Sequence, residues 1–366
     1  MSADDDPREL ARGGARHGPA SRRAPIRAAI AGYGYAARTF HVSLVEAVDG
    51  FTLCAIVSRD PAKVRNDLPD LPVVPLEEAL ADSNVDLVIV ATPTATHFDI
   101  ARRALVAGKH VVVDKPVTVT AEDAEALSAA AREANRIVTV FHNRRWDADF
   151  LTLRSLVESG ALGSVSYFES RAERFRPVVR DRWRERVAPG SGTWYDLGSH
   201  LVDQTLQLFG EPETIAGDLG VQRGSGATDF FHVMLRYGSM RAVLHGSSLA
   251  VAGGPRFHVL GKHASYVKHG IDVQESALVS GLRPGRSGSW GRDPQPGVLT
   301  RMADGTPCMV DVPNVAGDYR AFYEGLRDAL HGTAPPPVAI ADAISTMRVI
   351  ERAVRSAELG RTLPMH

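Results

Sequence analysis

Ile26-Arg-Ala-Ala-Ile-Ala-Gly32-Tyr33-Gly34-Tyr35-Ala36-Ala37 is the stretch on which the reading of this chain turns. A short apolar run, Ile26 to Ala31, ends in glycine, and a helix-compatible segment, Arg38 to Val48, follows. The glycine pattern between them is G-x-G-x-x-A. Gly32 permits the tight turn, Gly34 lets backbone approach a diphosphate, and the small Ala37 lets helix and strand pack closely. Phosphates would sit at the helix start, near Tyr35 and Ala36, where free N–H groups and the helix dipole favour anions. The motif is weak alone but gains force from a strand before it, a helix after it, and further β/α units behind it.

Those units are legible. Phe51 to Val57, Asp86 to Ala91, His110 to Asp114 and Ile137 to Phe141 read as strands. Leu76 to Asp82, Phe98 to Ala107 and Ala121 to Ala134 read as helices between them. Strands apolar throughout and joined by helices predict a parallel sheet covered on both faces. After Asn143 the grammar changes. Helices are expected near Asp149 to Ser159 and Tyr195 to Phe209. Ser164 to Phe175, Glu213 to Gln222, Phe230 to Tyr237, Arg241 to Leu249 and Arg256 to Leu260 then succeed one another as strands, which predicts an antiparallel sheet. Asp318 to His331 and Ala339 to Glu358 are helical, and 283–297 is a loop. The expected organisation is a disordered tail at 1–25, a nucleotide-binding domain at 26–143 and a substrate-binding, oligomer-forming α/β domain at 144–366.

Composition bounds the function. The 366 residues carry 42 Lys+Arg against 43 Asp+Glu, a formal charge of −1, so no global basic field exists to hold nucleic acid or an anionic membrane. No uncharged apolar run approaches the ~20 residues of a membrane span. Cys54 and Cys308 are too few for a disulfide framework or a Cys-rich zinc site, and the expectation is a cytoplasmic protein without a metal. Arg22-Arg23 is followed by no apolar segment, so no twin-arginine export signal is read there. Only five lysines occur, against 37 arginines, which gives weight to a lysine at a special place.

The cofactor preference is read at the end of the second strand. An NAD site usually puts a carboxylate there, on the ribose 2′-hydroxyl. Here Ser58 and Arg59 hold that place, and a hydroxyl with a guanidinium suits a 2′-phosphate. NADP is therefore expected over NAD, with Asp60 the residue that speaks against it. Thr92, Pro93 and Thr94 leave the third strand toward the ligand crevice and border ribose or nicotinamide. His97 either joins them or caps the next helix.

Two elements carry chemistry. Asp114-Lys115-Pro116 closes a parallel strand at the same carboxyl edge, where Lys115 can donate to a reacting hydroxyl or carbonyl oxygen. Asp196, His200 and Asp203 stand at i, i+4 and i+7, on one face of a helix. His200 is suited to exchange a proton near neutral pH, with Asp196 placed to orient it. The trio is otherwise a metal site or a satisfied structural histidine. Asn143 and Arg144 lie where two domains meet and can hold substrate hydroxyls. Arg145 fits an interdomain ion pair at least as well. Arg174, Arg176, Arg182, Trp183, Arg184 and Arg186 form either a substrate wall or a solvated or subunit-contacting face.

With these elements in view, the chain resembles the Gfo/Idh/MocA oxidoreductases, the glucose–fructose oxidoreductase and inositol dehydrogenase family, from about Ile26 to Gly360. The carriers are Gly32-Tyr-Gly-Tyr-Ala-Ala37, Ala91-Thr92-Pro93, Asp114-Lys115-Pro116 and Asp196-Leu-Gly-Ser-His200. The resemblance implies a Rossmann domain and an α/β domain with a large, mostly antiparallel open sheet that builds homodimers or homotetramers. It implies that Lys115 lies beside the nicotinamide and that His200 is the acid/base, paired with Asp196. Asp114 replaces the family's commoner Glu. Arg144 matches a substrate-binding arginine of inositol dehydrogenases, and Asp203 falls where they carry an active-site aspartate. Phe141-His-Asn-Arg-Arg-Trp-Asp147 and Arg174-Phe-Arg-Pro177 resemble the branch of NADP-dependent scyllo-inositol dehydrogenases. The resulting expectation is alcohol/ketone interconversion on a cyclic polyol or sugar. The rivals are another sugar, diol or imine on the same fold, or a non-catalytic NADP-binding sensor.

Overall fold

The computed structural model describes residues 24–285 and 288–366. The tail expected at 1–25 therefore lies almost wholly outside the described residues. The first half forms a sheet of β1 (Ile26–Ala31), β2 (Phe51–Val57), β3 (Val73–Val74), β4 (Leu87–Val90), β5 (His110–Val113) and β6 (Val138–Val140). Their spatial order is β3-β2-β1-β4-β5-β6 and every pairing is parallel. The order reverses direction between β1 and β4, which is where the crevice of a doubly wound sheet opens. β4 and β6 are buried along their whole length, as strands covered on both faces must be.

The second half forms a larger sheet. Its strands are β7 (Val165–Glu173), β8 (Thr214–Gly220), β9 (Phe230–Tyr237), β10 (Met240–Ser247), β11 (Phe257–Gly261), β12 (Ala264–Lys268), β13 (Gly297–Ala303), β14 (Thr306–Val312) and β15 (Leu363–Pro364). The order is β14-β13-β12-β11-β7-β10-β9-β8-β15. Only β7 and β10 pair in parallel; the other pairings are antiparallel. The expectation of a mostly antiparallel sheet holds. β9 alternates, with Phe231, Val233 and Leu235 buried and His232, Met234 and Arg236 on the other face. One face is thus covered and one is open.

The covering helices are Ser199–Phe209 and Ile340–Leu359. The latter lies so close to β8 that a side chain at Gly217 would come within 2.5 Å of the Ala353 carbonyl. Trp194 Nε1 donates to the Ile350 carbonyl at 3.1 Å and pins the start of the preceding turn. After residue 318 the chain also returns to the first sheet. Tyr323, on helix Arg320–Leu330, pairs its hydroxyl with His41 at 2.7 Å, and Phe322 packs edge-on against Phe141. Phe141, where the two halves join, is therefore packed by Phe322 from the second half and by His41 from the first.

Two predicted helices are not uniform. The helix after Gly34 begins with a π turn at Ala37–His41 before Val42–Ala47. The segment expected as one helix from Tyr195 starts as a π turn, Trp194–Gly198, and becomes α-helical only over Ser199–Phe209. A π turn closes its ring over five residues and rotates the side chains before it relative to those after it. This decides the geometry of the site.

Candidate active site

The turn after β1 has the shape that a phosphate cradle requires. Gly32 has φ of +99°, and a Cβ there would meet the Ala91 carbonyl oxygen at 2.6 Å. Gly34 has no heavy atom within 4 Å of where its Cβ would stand, so the space before the helix start is open. Ala37 is buried against the sheet. At the end of β2, Ser58 accepts from the Asp60 amide at 3.1 Å, and Asp60 caps helix Pro61–Asp67 by accepting from the Lys63 amide at 3.1 Å. Asp60 is thus committed to a helix cap. Arg59 is exposed and, among the described residues, its guanidinium has no hydrogen bond or ion pair.

Two residues expected to touch the cofactor do something else. His97 is buried, with Nδ1 2.9 Å from the Pro116 carbonyl and Nε2 2.9 Å from the Thr92 carbonyl. It ties the β4 and β5 loops together and has no ring nitrogen left for a ligand. Thr94 is buried, and its methyl lies 2.9 Å from where a Cβ on Gly190 would stand. Thr92 stays at the loop surface, with its Oγ1 accepting from Thr96 at 2.8 Å, and Pro93 is exposed.

A cavity of about 860 Å³ opens at this carboxyl edge and runs to the helices of the second sheet. Tyr35, Ala36, Lys115 and Asn143 line one side; Asp196 and His200 line the other. Lys115 Nζ donates to the Asp196 carbonyl at 2.6 Å and to Asp196 Oδ1 at 2.8 Å. An ammonium has three N–H groups, so one is left for a ligand. Arg184 lies 3.3 Å and Arg174 3.8 Å from the same carboxylate. Burial would raise the Asp196 pKa, but Lys115, Arg184 and Arg174 together hold it well below the usual carboxylate range.

The expected Asp196–His200 pair does not form. The π turn at Trp194–Gly198 carries Asp196 off the helix face of His200 and onto Lys115. His200 Nδ1 is buried and, among the described residues, has no hydrogen-bond partner. Burial, and then the charges of Lys115 and Arg144, push the His200 pKa well below its ordinary value. The imidazole is therefore held in its neutral form, which leaves one ring nitrogen as an acceptor, while the same burial and charges make it a weaker base than a free imidazole.

Asp203 is also placed differently from the expectation. It is buried, and Arg145 grips both its oxygens, Nε to Oδ2 at 2.9 Å and Nη2 to Oδ1 at 2.6 Å. Arg145 also reaches Asp342 at 3.0 Å, so both of its carboxylate partners lie in the second half and the expected interdomain ion pair is not what it forms. Asp203 therefore anchors the wall and, buried on Arg145, does not line the cavity. Arg144 does line the cavity, held by Asp147 at 3.2 Å and Glu275 at 2.7 Å. Glu275 in turn accepts from the Tyr35 hydroxyl at 2.8 Å, joining the nucleotide turn to the substrate side. Nothing in the sequence marked Glu275, which sits on the short helix Gln274–Val279 without a motif. Trp183 does not face the cavity. Its ring lies under Arg184, whose guanidinium carbon is 4.6 Å from the ring centre, and Arg182, Arg184 and Glu185 form the wall instead. No cluster of three His, Cys, Asp or Glu with metal-binding geometry occurs among the described residues.

The fold is shared with known proteins. Residues 26–142 match the NAD-binding Rossmann fold of an oxidoreductase family and 154–365 match its C-terminal α/β domain. The chain belongs to the Gfo/Idh/MocA family. It is 48% identical over 340 residues to the uncharacterized oxidoreductase YdgJ of Escherichia coli, covering 92% of this chain and 98% of that one. It is 40% identical to the NADP-dependent scyllo-inositol 2-dehydrogenase IolW of Bacillus subtilis, over 92% of this chain and 95% of IolW. The solved structure of the Bacillus subtilis oxidoreductase yvaA superposes with a TM-score of 0.90 at 39% identity, covering 94% of this chain and 99% of that one. This Gfo/Idh/MocA member is thus an oxidoreductase with a nucleotide-binding Rossmann half.

Proposed function

We propose that the protein interconverts a secondary alcohol and a ketone on a cyclic polyol or sugar with NADP(H), scyllo-inositol and its inosose being the leading pair. The observation that carries this reading is one cavity holding a neutral, buried His200 and a Lys115 ammonium with one N–H unspent. NADP is supported by the exposed Arg59 and by the diversion of Asp60 to a helix cap. The inositol pair is supported by the likeness to IolW, whose name states that activity.

When bound, the nicotinamide supplies the hydride acceptor or donor. In the oxidation direction His200 takes the hydroxyl proton. Lys115 donates its third N–H to the same oxygen and favours the negative charge that develops there. Asp196 holds Lys115 in place and balances its charge. Arg144, fixed by two carboxylates, and Asn143 hold other hydroxyls. Reduction reverses these steps. A homodimer or homotetramer in the cytoplasm belongs to the same reading. It is supported by the exposed Met302 and Met309 on the outer strands β13 and β14 and by the unpaired Cys54 and Cys308. No helix among the described residues is long and apolar enough to cross a membrane.

The test is NADPH absorbance with a polyol panel, NADP and NAD in parallel, on wild type, K115A and H200A. Each variant is expected to lose about 10²- to 10⁴-fold in kcat while NADP binding survives. Full activity in both would remove the mechanism. Tight NADP binding with silence on every substrate would favour the cofactor-sensor reading.

A further inference from the structure

The mouth of the cavity holds more positive charge than its carboxylates balance. The segment after β7 brings Arg174, Arg176, Arg180, Arg182 and Arg184 to one wall. Two carboxylates of that wall, Glu185 and Asp196, are already engaged. Glu185 pairs with Arg182 at 2.8 Å and Arg223 at 3.3 Å, and accepts from the Arg180 amide at 3.0 Å. Asp196 is shared by Lys115, Arg184 and Arg174. Among the described residues, the guanidinium groups of Arg176 and Arg180 have no hydrogen bond or ion pair, although both line the cavity. Burial, and then the charges of Arg180 and Arg182, push the Arg176 pKa down from its ordinary value. Like charges gathered at a concave, partly desolvated wall raise the local concentration of anions, and planar guanidinium forks match carboxylate and phosphate oxygens. A neutral polyol leaves this wall unanswered.

We infer that the substrate carries an anionic group, a carboxylate or a phosphate, which Arg176 and Arg180 take up at the mouth while its alcohol carbon lies at His200 and Lys115. The inference rests on the alcohol/ketone reading above and replaces its leading pair, the neutral scyllo-inositol and inosose, with a sugar acid or a sugar phosphate.

The test uses NADP-loaded protein and three probes of one ring type: glucose, glucuronate and glucose 6-phosphate. Turnover and titration calorimetry are both measured, at low and high salt. One charged probe is expected to exceed glucose in affinity or kcat/KM by about ten- to a hundredfold, with the advantage shrinking as salt rises. Which probe gains separates carboxylate from phosphate. R176Q and R180Q are each expected to reduce the advantage, and the double variant to bring the ratio near one. Equal handling of charged and neutral probes overturns the inference and leaves the polyol reading standing. Arg-dependent binding of a charged probe without NADP reduction supports the anion site and counts against the polyol reading. A double variant that weakens NADPH binding while keeping the charged-to-neutral ratio overturns the inference, because the arginines then serve the cofactor. Absence of binding by all three probes overturns it as well.

Discussion

Gly32 and Gly34 stand two residues apart and should fail in opposite ways. At Gly32 an alanine meets two penalties. Its backbone is held at φ of +99°, a conformation that costs an L-residue about 1–2 kcal/mol. Its Cβ would also stand 2.6 Å from the Ala91 carbonyl oxygen, on a strand end that cannot move freely, and overpacking of this kind costs about 1–3 kcal/mol. G32A is therefore expected to lose about 2–5 kcal/mol of stability. At Gly34 the backbone is not left-handed and nothing lies within 4 Å of the added methyl. G34A should keep its stability within about 0.5 kcal/mol. The methyl would fill the space that the diphosphate needs, weakening NADPH by about 1–3 kcal/mol, roughly 5- to 150-fold in Kd. Thermal melts without cofactor read the first quantity and NADPH fluorescence titration reads the second. A G34A protein that binds NADPH like wild type, or melts as early as G32A, would refute the cradle argument.

R59A should weaken NADP by about 10- to 100-fold and leave NAD nearly unchanged, as competitive titration of the two dinucleotides will show; equal loss for both would move the 2′-phosphate elsewhere. D203N strips the charge from a buried carboxylate gripped at both oxygens by Arg145, and a loss of about 3–5 kcal/mol in chemical denaturation is expected. An unchanged denaturation midpoint would show that the pair is not structural. Burial pushes the His41 pKa from 6.5 down to about 4. Between those values the unfolded chain binds a proton that the folded chain does not, so this residue's share of stability is present above pH 6.5 and falls by about 3 kcal/mol on acidification to pH 4. H41Q should show a visibly shallower slope over that window, and an equal slope would assign the acid sensitivity to other groups.

Residues 26–143 were largely legible because their signals are short-range. Uniformly apolar strands, glycine at a tight turn and small residues at the helix contact are local necessities of a parallel sheet with a nucleotide cradle. The outer strands β12, β13 and β14 were not read. Thr306-Pro-Cys-Met-Val-Asp-Val312 is mostly exposed along its whole length, so it carries no alternation between an inner and an outer face. Helix Gln274–Val279 was missed for a related reason: six residues are too few to show a period.

Within the site, residue types and their approximate place followed from the chain: Lys115 at a strand end, His200 on a helix, Asn143 and Arg144 between the halves. Their pairings did not. Spacing assigned Asp196 to His200, whereas a π turn at 194–198 delivers it to Lys115, 81 residues away. Asp203 belongs to Arg145, His97 to two backbone carbonyls, and Glu275 to Tyr35 and Arg144. Hydrophobic periodicity records which face of each element is buried, and that is a property of neighbours in sequence. The partner of a buried charge depends on the rotation of one turn and the docking of distant segments, and no local pattern encodes either.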